Sequence, residues 1–235
     1  MTESYLQAST GFVKLLKKKG VDIFANIQSS HLSNILAYII DSRYRTVKDL
    51  SPWIKKQVDN PTQIIKEVLA KIPSKTKPDE QVIEVLKFII KELTYTTDNK
   101  QYDKYEFWAK ASETLYNLKG DCEDGAILMY VLCRLKGIPA NRLYVWAGDV
   151  KSTATAPTGG HSCLLYKSTY FPYNFIPLDW CYYPNKKLIK QRNLLELKGK
   201  DINEFNKLGN IEWSNYRRTW FIFNEDKSFS RLKLR

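Results

Sequence analysis

Apolar positions recur at three- and four-residue spacings over residues 5–19, 28–41 and 62–71, a period that predicts helices in the first third of the chain. Pro52, Pro61 and Pro73 punctuate that third, and Asn60-Pro61 and Pro73-Ser74 read as turns. A better-defined helix begins at Pro78. The proline suits a first turn, Asp79 and Glu80 suit the positive end of the helix dipole, and Val82, Val85, Leu86, Ile89 and Leu93 fall on one stripe. A connection rich in aromatic residues follows, from Thr94 to Lys110, and then a short helical piece around Ala111 to Leu118. After Gly120, the apolar residues Ala126, Ile127, Met129, Tyr130, Leu132, Cys133 and Leu135 occupy most faces of a second strong helix. A helix apolar nearly all round is a buried one. It ends on Lys136-Gly137-Ile138-Pro139, with glycine as the stop signal and proline just beyond.

Then the period shortens. Residues 142–147, 161–166 and 173–178 are brief runs of aromatic and aliphatic residues bounded by Gly, Pro, Asn and Asp, and they read as strands. The intervening segment Lys151 to Gly160 is small and polar and reads as a loop. The last fifty residues combine a helical patch near 188–197 with a strand-like run at 218–223. A helical half followed by an antiparallel half predicts an α+β fold. The expected organisation is a helical N-terminal extension over 1–75 packed on a core at 76–184, with a basic extension at 185–235 completing the same domain.

Composition narrows the field. With 235 residues, 43% hydrophobic and 13% aromatic, the chain carries enough apolar surface for a full core, and disorder, collagen-like and repeat architectures are excluded. The most apolar stretch, Ile35 to Ile40, is far shorter than the roughly 18–20 residues a membrane helix needs. Met1-Thr2-Glu3-Ser4-Tyr5 lacks the pattern of a secretory signal, so a cytoplasmic protein is expected, or a virion-associated one if phage-encoded. Cysteines at 122, 133, 163 and 181 form no CxxC pair and are expected as free thiols. The net charge of +12 sits on the flanks: +6 over 1–75 and +7 over 185–235, against −1 between them. Such flanks can attract an anionic partner, although a solvated lysine-rich surface is the simpler account.

Cys122 stands out by its place between Gly120-Asp121 and the buried helix. A thiol in a first helical turn feels the positive end of the dipole and unpaired backbone N–H groups, which favour the thiolate a nucleophile needs. Glu123 and Asp124 act in the opposite sense, so a nearby cation is wanted, and protonated histidine is the usual one. His31 lies in the helical stretch Ser29 to Ser33 with no polar constellation around it and reads as a surface residue or a cap neighbour. His161 follows Gly159-Gly160 and opens a strand, where glycines allow close backbone approach. Asp179, closing the run that ends at Leu178, can orient that imidazole if the two strands pair.

Gly120-Asp121-Cys122-Glu123-Asp124, Leu135-Lys136-Gly137-Ile138-Pro139-Ala140, Gly160-His161 and Leu178-Asp179-Trp180, in that order, resemble the core of the transglutaminase-like superfamily. Tyr95 to Asp98 and Trp108 to Leu115 are similar to the lead-in of bacterial and phage members. The resemblance spans roughly residues 80–183. It implies a papain-like fold, with the cysteine at the start of a buried helix packed on an antiparallel sheet that carries the histidine and aspartate. It further implies acyl transfer through a thioester, with Cys122 as nucleophile, His161 as general base and acid, and Asp179 as orienter. The backbone N–H of Cys122 would contribute to an oxyanion hole, and the Trp108 indole is one candidate second donor, with a core aromatic as the simpler reading. After His161 the sequence departs from the commoner pattern, with Ser162-Cys163 in place of a small residue and tryptophan.

Two alternatives stand beside this. A zinc site of Cys122, His161, Cys163 and Cys181 matches no standard ligand spacing, so no metal or cofactor is expected. A catalytically idle module or virion structural protein, binding an anionic partner through the basic flanks, is the second functional class. The first is a cysteine hydrolase or acyltransferase acting on a protein or peptide, hydrolysis being favoured because water is always at hand while an amine acceptor needs its own site.

Overall fold

The computed structural model describes residues 50–104, 106–150, 158–169, 175–181 and 216–230. The helices expected at 5–19, 28–41 and 188–197, together with His31 and most of both basic flanks, lie outside the described residues.

Helix α1 (Leu50–Asp59) buries Leu50 and Ile54, and α2 (Gln63–Lys71) buries Ile65 and Val68. Pro52 lies within α1 rather than ending a helix. Helix α3 (Pro78–Glu92) starts on its proline as expected and turns Val82, Val85, Leu86 and Ile89 inward. Asp79, read from sequence as a dipole residue, is buried. It accepts hydrogen bonds from the backbone N–H and hydroxyl of Thr169, which ties the start of α3 to the end of a strand 90 residues later.

The aromatic connection contains a two-residue strand β1 (Thr94–Tyr95) and a short helix α4 (Asp98–Tyr102), and leads to α5 (Ala111–Asn117). Strand β1 pairs in parallel with β2 (Lys119–Gly120), which brings Tyr95 beside the residues that precede Cys122. Helix α6 (Cys122–Leu135) is the centre of the molecule, with every residue from Ala126 to Cys133 fully buried. Gly137 at φ 87° follows its last turn, a backbone conformation that glycine adopts without strain.

A single turn of 3-10 helix at Ala140–Arg142 enters the sheet. Its strands are β3 (Leu143–Val150), β4 (Gly159–Lys167), β5 (Phe175–Leu178), β6 (Tyr216–Phe223) and β7 (Ser228–Ser230), in the order β5-β4-β3-β6-β7 and antiparallel throughout. Helix α6 lies across β3 and β4, with α1, α3 and α5 on its other sides, so its apolar surface is covered on all faces. The result is the mixed helix and antiparallel-sheet fold that the periodicity predicts. At its far end α6 is clamped to the β6–β7 turn: Arg134 pairs with both carboxylate oxygens of Glu225, at 3.0 and 2.7 Å, and Tyr130 donates to the same group. None of the four cysteines forms a disulfide.

Candidate active site

Cys122 is the first residue of α6, with Asp121 as the extended residue before it. The start of the helix is held on two sides. Asp124 accepts a hydrogen bond from the backbone N–H of Ala109 at 2.9 Å, and the Trp180 indole donates to the Cys122 carbonyl at 3.4 Å. Trp180 reaches that carbonyl only because residue 125 is glycine: a Cβ there would stand 2.0 Å from the indole nitrogen.

The sheet carries the other two candidates. Strands β4 and β5 pair with Leu164 opposite Leu178, so one step further Asp179 falls across from Cys163. Its Oδ2 lies 2.5 Å from His161 Nε2, and its side chain is fully buried. The other oxygen, Oδ1, accepts the backbone N–H of Cys181 at 3.2 Å, with the Cys181 sulfur 3.7 Å away. Gly160 is the glycine that allows close approach, since a Cβ there would meet the Trp220 ring at 2.6 Å; at Gly159 the space is open. The Ser162-Cys163 departure faces inward: Ser162 donates to the Trp146 carbonyl at 2.7 Å, and Cys163 is fully buried.

The thiol differs from the sequence expectation. Burial, reinforced by Asp121 and Cys181, pushes Cys122 well above the ordinary thiol range, and its S–H donates to Glu123 at 3.1 Å. The dipole favours a thiolate, but desolvation of a charged sulfur among carboxyl groups outweighs it, so the resting thiol is protonated. Trp108 fits the core-aromatic reading: its indole donates to Glu106 at 2.8 Å and its ring packs on Phe221 and Phe223.

Sequence reading missed the carboxyl groups behind the nucleophile. Asp98, Asp121 and Asp124 bring one oxygen each within 4.8 Å of one another, and Asp98, Glu106 and Glu123 do the same. Burial raises Asp98, Asp121, Glu123 and Asp124; repulsion from neighbouring carboxyl groups adds to it at Asp98, Glu123 and Asp124, hydrogen bonds and His161 oppose it at Asp121, and Asp98 is pushed up to about 9. Asp98 Oδ1, Asp121 Oδ1, Glu123 Oε1 and Asp124 Oδ2 are buried without hydrogen-bond partners. Orphaned oxygens in an all-carboxylate set fit a hard cation of the calcium type, which would hold the loop before Cys122 rather than touch the reacting atoms. The local sequence signal was Asp121, Glu123 and Asp124 crowding one helix start.

Legionella pneumophila LapG resembles the chain in two solved forms. The EGTA-treated form is 15% identical, with 80% of this chain and 87% of that chain covered at a TM-score of 0.45. The calcium-bound form is 17% identical, with 78% and 88% covered at the same TM-score. A search of curated proteins finds no match. The family model described as the transglutaminase-like superfamily matches residues 63–179, from α2 through α6 to the aspartate after β5. By that match, which takes in Cys122, His161 and Asp179 alike, the chain belongs to the transglutaminase-like superfamily.

Proposed function

We propose that the protein is a cysteine peptidase or amidase that cleaves amide bonds through a thioester, with Cys122 as nucleophile, His161 as general base and acid, and Asp179 as the residue that orients the imidazole. The observation that carries this reading is the 2.5 Å contact between His161 Nε2 and a fully buried Asp179, made at the rim of the sheet on which the Cys122 helix is packed. With Nε2 bound to Asp179, Nδ1 is the ring nitrogen that takes the thiol proton in this reading.

The resting thiol is neutral, so the first step is general-base catalysis. As Cys122 Sγ attacks the carbonyl carbon, its proton passes to His161 Nδ1, and the oxygen takes up charge near the backbone N–H of Cys122 at the positive end of α6. The imidazolium then protonates the leaving amine nitrogen, the C–N bond breaks, and the acyl group stays on sulfur. Water attacks the thioester, giving its proton to Nδ1, and the acid leaves with the thiol restored. Asp179 keeps the ring in one orientation and stabilises its positive charge in both halves of the cycle. A hard cation bound by the carboxyl groups behind Cys122 would supply charge compensation there, and no step passes through it.

Hydrolysis is favoured over cross-linking because water needs no acceptor site. The substrate class is a peptide or protein. The second reading, a binding module that keeps the fold without the reaction, is favoured by the protonated thiol alone. A screen of peptide and glutamine-amide substrates, run with and without a primary amine and with Cys122→Ala and His161→Ala as blanks, separates the two. Turnover that both variants lose supports the enzyme, amine incorporation moves the assignment to transamidation, and turnover unchanged in Cys122→Ala rejects it.

A further inference from the structure

Cys181 has no part in the proposed reaction, yet its side chain belongs to the same cluster. One donor atom each from His161, Asp179 and Cys181 lies within 4.8 Å of the other two. Imidazole, carboxylate and thiolate together form the mixed nitrogen, oxygen and sulfur set that borderline-soft cations prefer, and three protein ligands leave a fourth position for water. With zinc–sulfur and zinc–oxygen bonds of about 2.3 and 2.0 Å, tetrahedral geometry sets sulfur and oxygen roughly 3.5 Å apart. Cys181 Sγ and Asp179 Oδ1 stand at 3.7 Å. The backbone N–H of Cys181 holds that same oxygen, so the carboxylate and the thiol are already arranged relative to each other. Cys181 is half-buried.

We propose that His161, Asp179 and Cys181 form a binding site for a divalent cation of the zinc class, and that filling it switches the proposed active site off. On binding, the Cys181 S–H proton leaves to solvent, the sulfur becomes a thiolate ligand beside Asp179 Oδ1, and the metal takes the place of the proton on His161 Nε2, which opens the contact of that nitrogen with Asp179 Oδ2. The imidazole proton moves to Nδ1, so His161 can no longer accept the Cys122 proton. The inhibition rests on the catalytic reading above; the binding does not.

Cobalt(II) reports such a site without any substrate. Added to the reduced full-length protein, it should saturate a single site and give a near-ultraviolet thiolate-to-cobalt charge-transfer band. Cys122→Ser should keep that band. Cys181→Ser should lose it while its far-ultraviolet circular dichroism and melting temperature match the parent, with Cys181→Ala as the second variant should the serine one misfold. Calcium should not compete, whereas zinc should displace the cobalt. No band in the parent, a band that survives at Cys181→Ser, or one lost at Cys122→Ser overturns the site. On a peptide substrate, zinc inhibition should weaken at least about tenfold in Cys181→Ser. Inhibition of equal strength in that variant overturns the switch, and an absence of turnover in metal-free parent protein would reject the catalytic reading while leaving the cobalt result to decide the site.

Discussion

Trp180 stands in a gap that Gly125 leaves in the first turn of α6, with its indole nitrogen 2.0 Å from where a Cβ would be and its N–H directed at the Cys122 carbonyl. The residue after the candidate orienter thus fixes the helix that carries the candidate nucleophile. Gly125→Ala separates local from tertiary effects. Alanine in a helix interior is worth about 1 kcal/mol over glycine. Here the methyl group drives Trp180 out, an overpacking cost of about 1–3 kcal/mol. The expected outcome is a melting temperature equal to or below the parent, a shifted tryptophan emission, and peptide turnover lowered at least tenfold. A melting temperature above the parent with unchanged emission would show that the gap is not filled.

The protonated resting thiol sets how Cys122 reacts with small reagents. Since burial pushes it well above the ordinary range, the rate of iodoacetamide labelling in the free protein should climb continuously from pH 7 to above pH 9, without the early plateau of a preformed thiolate. Peptide mapping of the labelled residue against pH is the measurement. A plateau at or below pH 7 would mean that the helix dipole and His161 outweigh desolvation.

The carboxyl groups behind Cys122 make stability depend on pH in an unusual direction. Asp98 is pushed from 3.8 up to about 9, burial first and Asp121 and Asp124 next. A carboxyl group with a raised folded-state value contributes stability at low pH, and that contribution shrinks as pH climbs from about 4 towards 9. In chelator, the melting temperature should therefore fall between pH 5 and pH 9. Asp98→Asn, which carries no charge to desolvate, should flatten that decline. Calcium at pH 8 should raise the parent's melting temperature, through the all-oxygen donor set, and affect the asparagine variant less. Differential scanning calorimetry in EGTA and in calcium checks all three.

The elements that carry the site were legible because each announces itself locally. The all-round apolar run after Gly120 gave α6 and the place of Cys122, and short aromatic and aliphatic runs gave β3, β4 and β5. The antiparallel pairing of β4 with β5 then brings His161 and Asp179 together. What sequence did not show depends on partners far along the chain. Trp180 against Gly125, Trp220 over Gly160, Thr169 on Asp79, and Asp98 with Glu106 behind Cys122 are tertiary meetings without a period or spacing. The state of the thiol was misjudged for a related reason. The dipole of α6 can be read from its own residues, whereas desolvation is set by everything packed around its first turn.

Glu225 clamps the far end of α6 and lies well away from the chemistry by sequence and element. It accepts two bonds from Arg134 and one from Tyr130, and only 7% of its side chain is exposed. Hydrogen bonds to charged groups contribute about 1.5–3 kcal/mol each at most, and they are not additive. Glu225→Ala should cost roughly 2–4 kcal/mol in urea unfolding, because it leaves the half-buried Arg134 charge without its carboxylate, with only the Ile138 carbonyl still accepting from it. Glu225→Gln should recover part of that loss. Equal stability of the alanine variant and the parent would show that the clamp is solvated and adds nothing.

Asp179 can be tested apart from the fold by asking what its charge does. Asparagine preserves an acceptor for the Nε2–H of His161 and can still orient the ring, but it offers no negative charge to the imidazolium that forms as Cys122 attacks. Alanine removes both. Asp179→Asn should therefore lower kcat by about ten- to a thousandfold with KM within about twofold, since a charge that matters only as the proton moves is felt in the transition state and not in substrate binding. Asp179→Ala should fall further, and it should also lose stability because it empties a fully buried site and strands the Cys181 backbone N–H. Steady-state kinetics on one peptide substrate, with urea melts on the same samples, checks the order. An asparagine variant as fast as the parent would mean that orientation alone suffices, and equal losses in kcat for both variants would mean that the charge carries all of the effect.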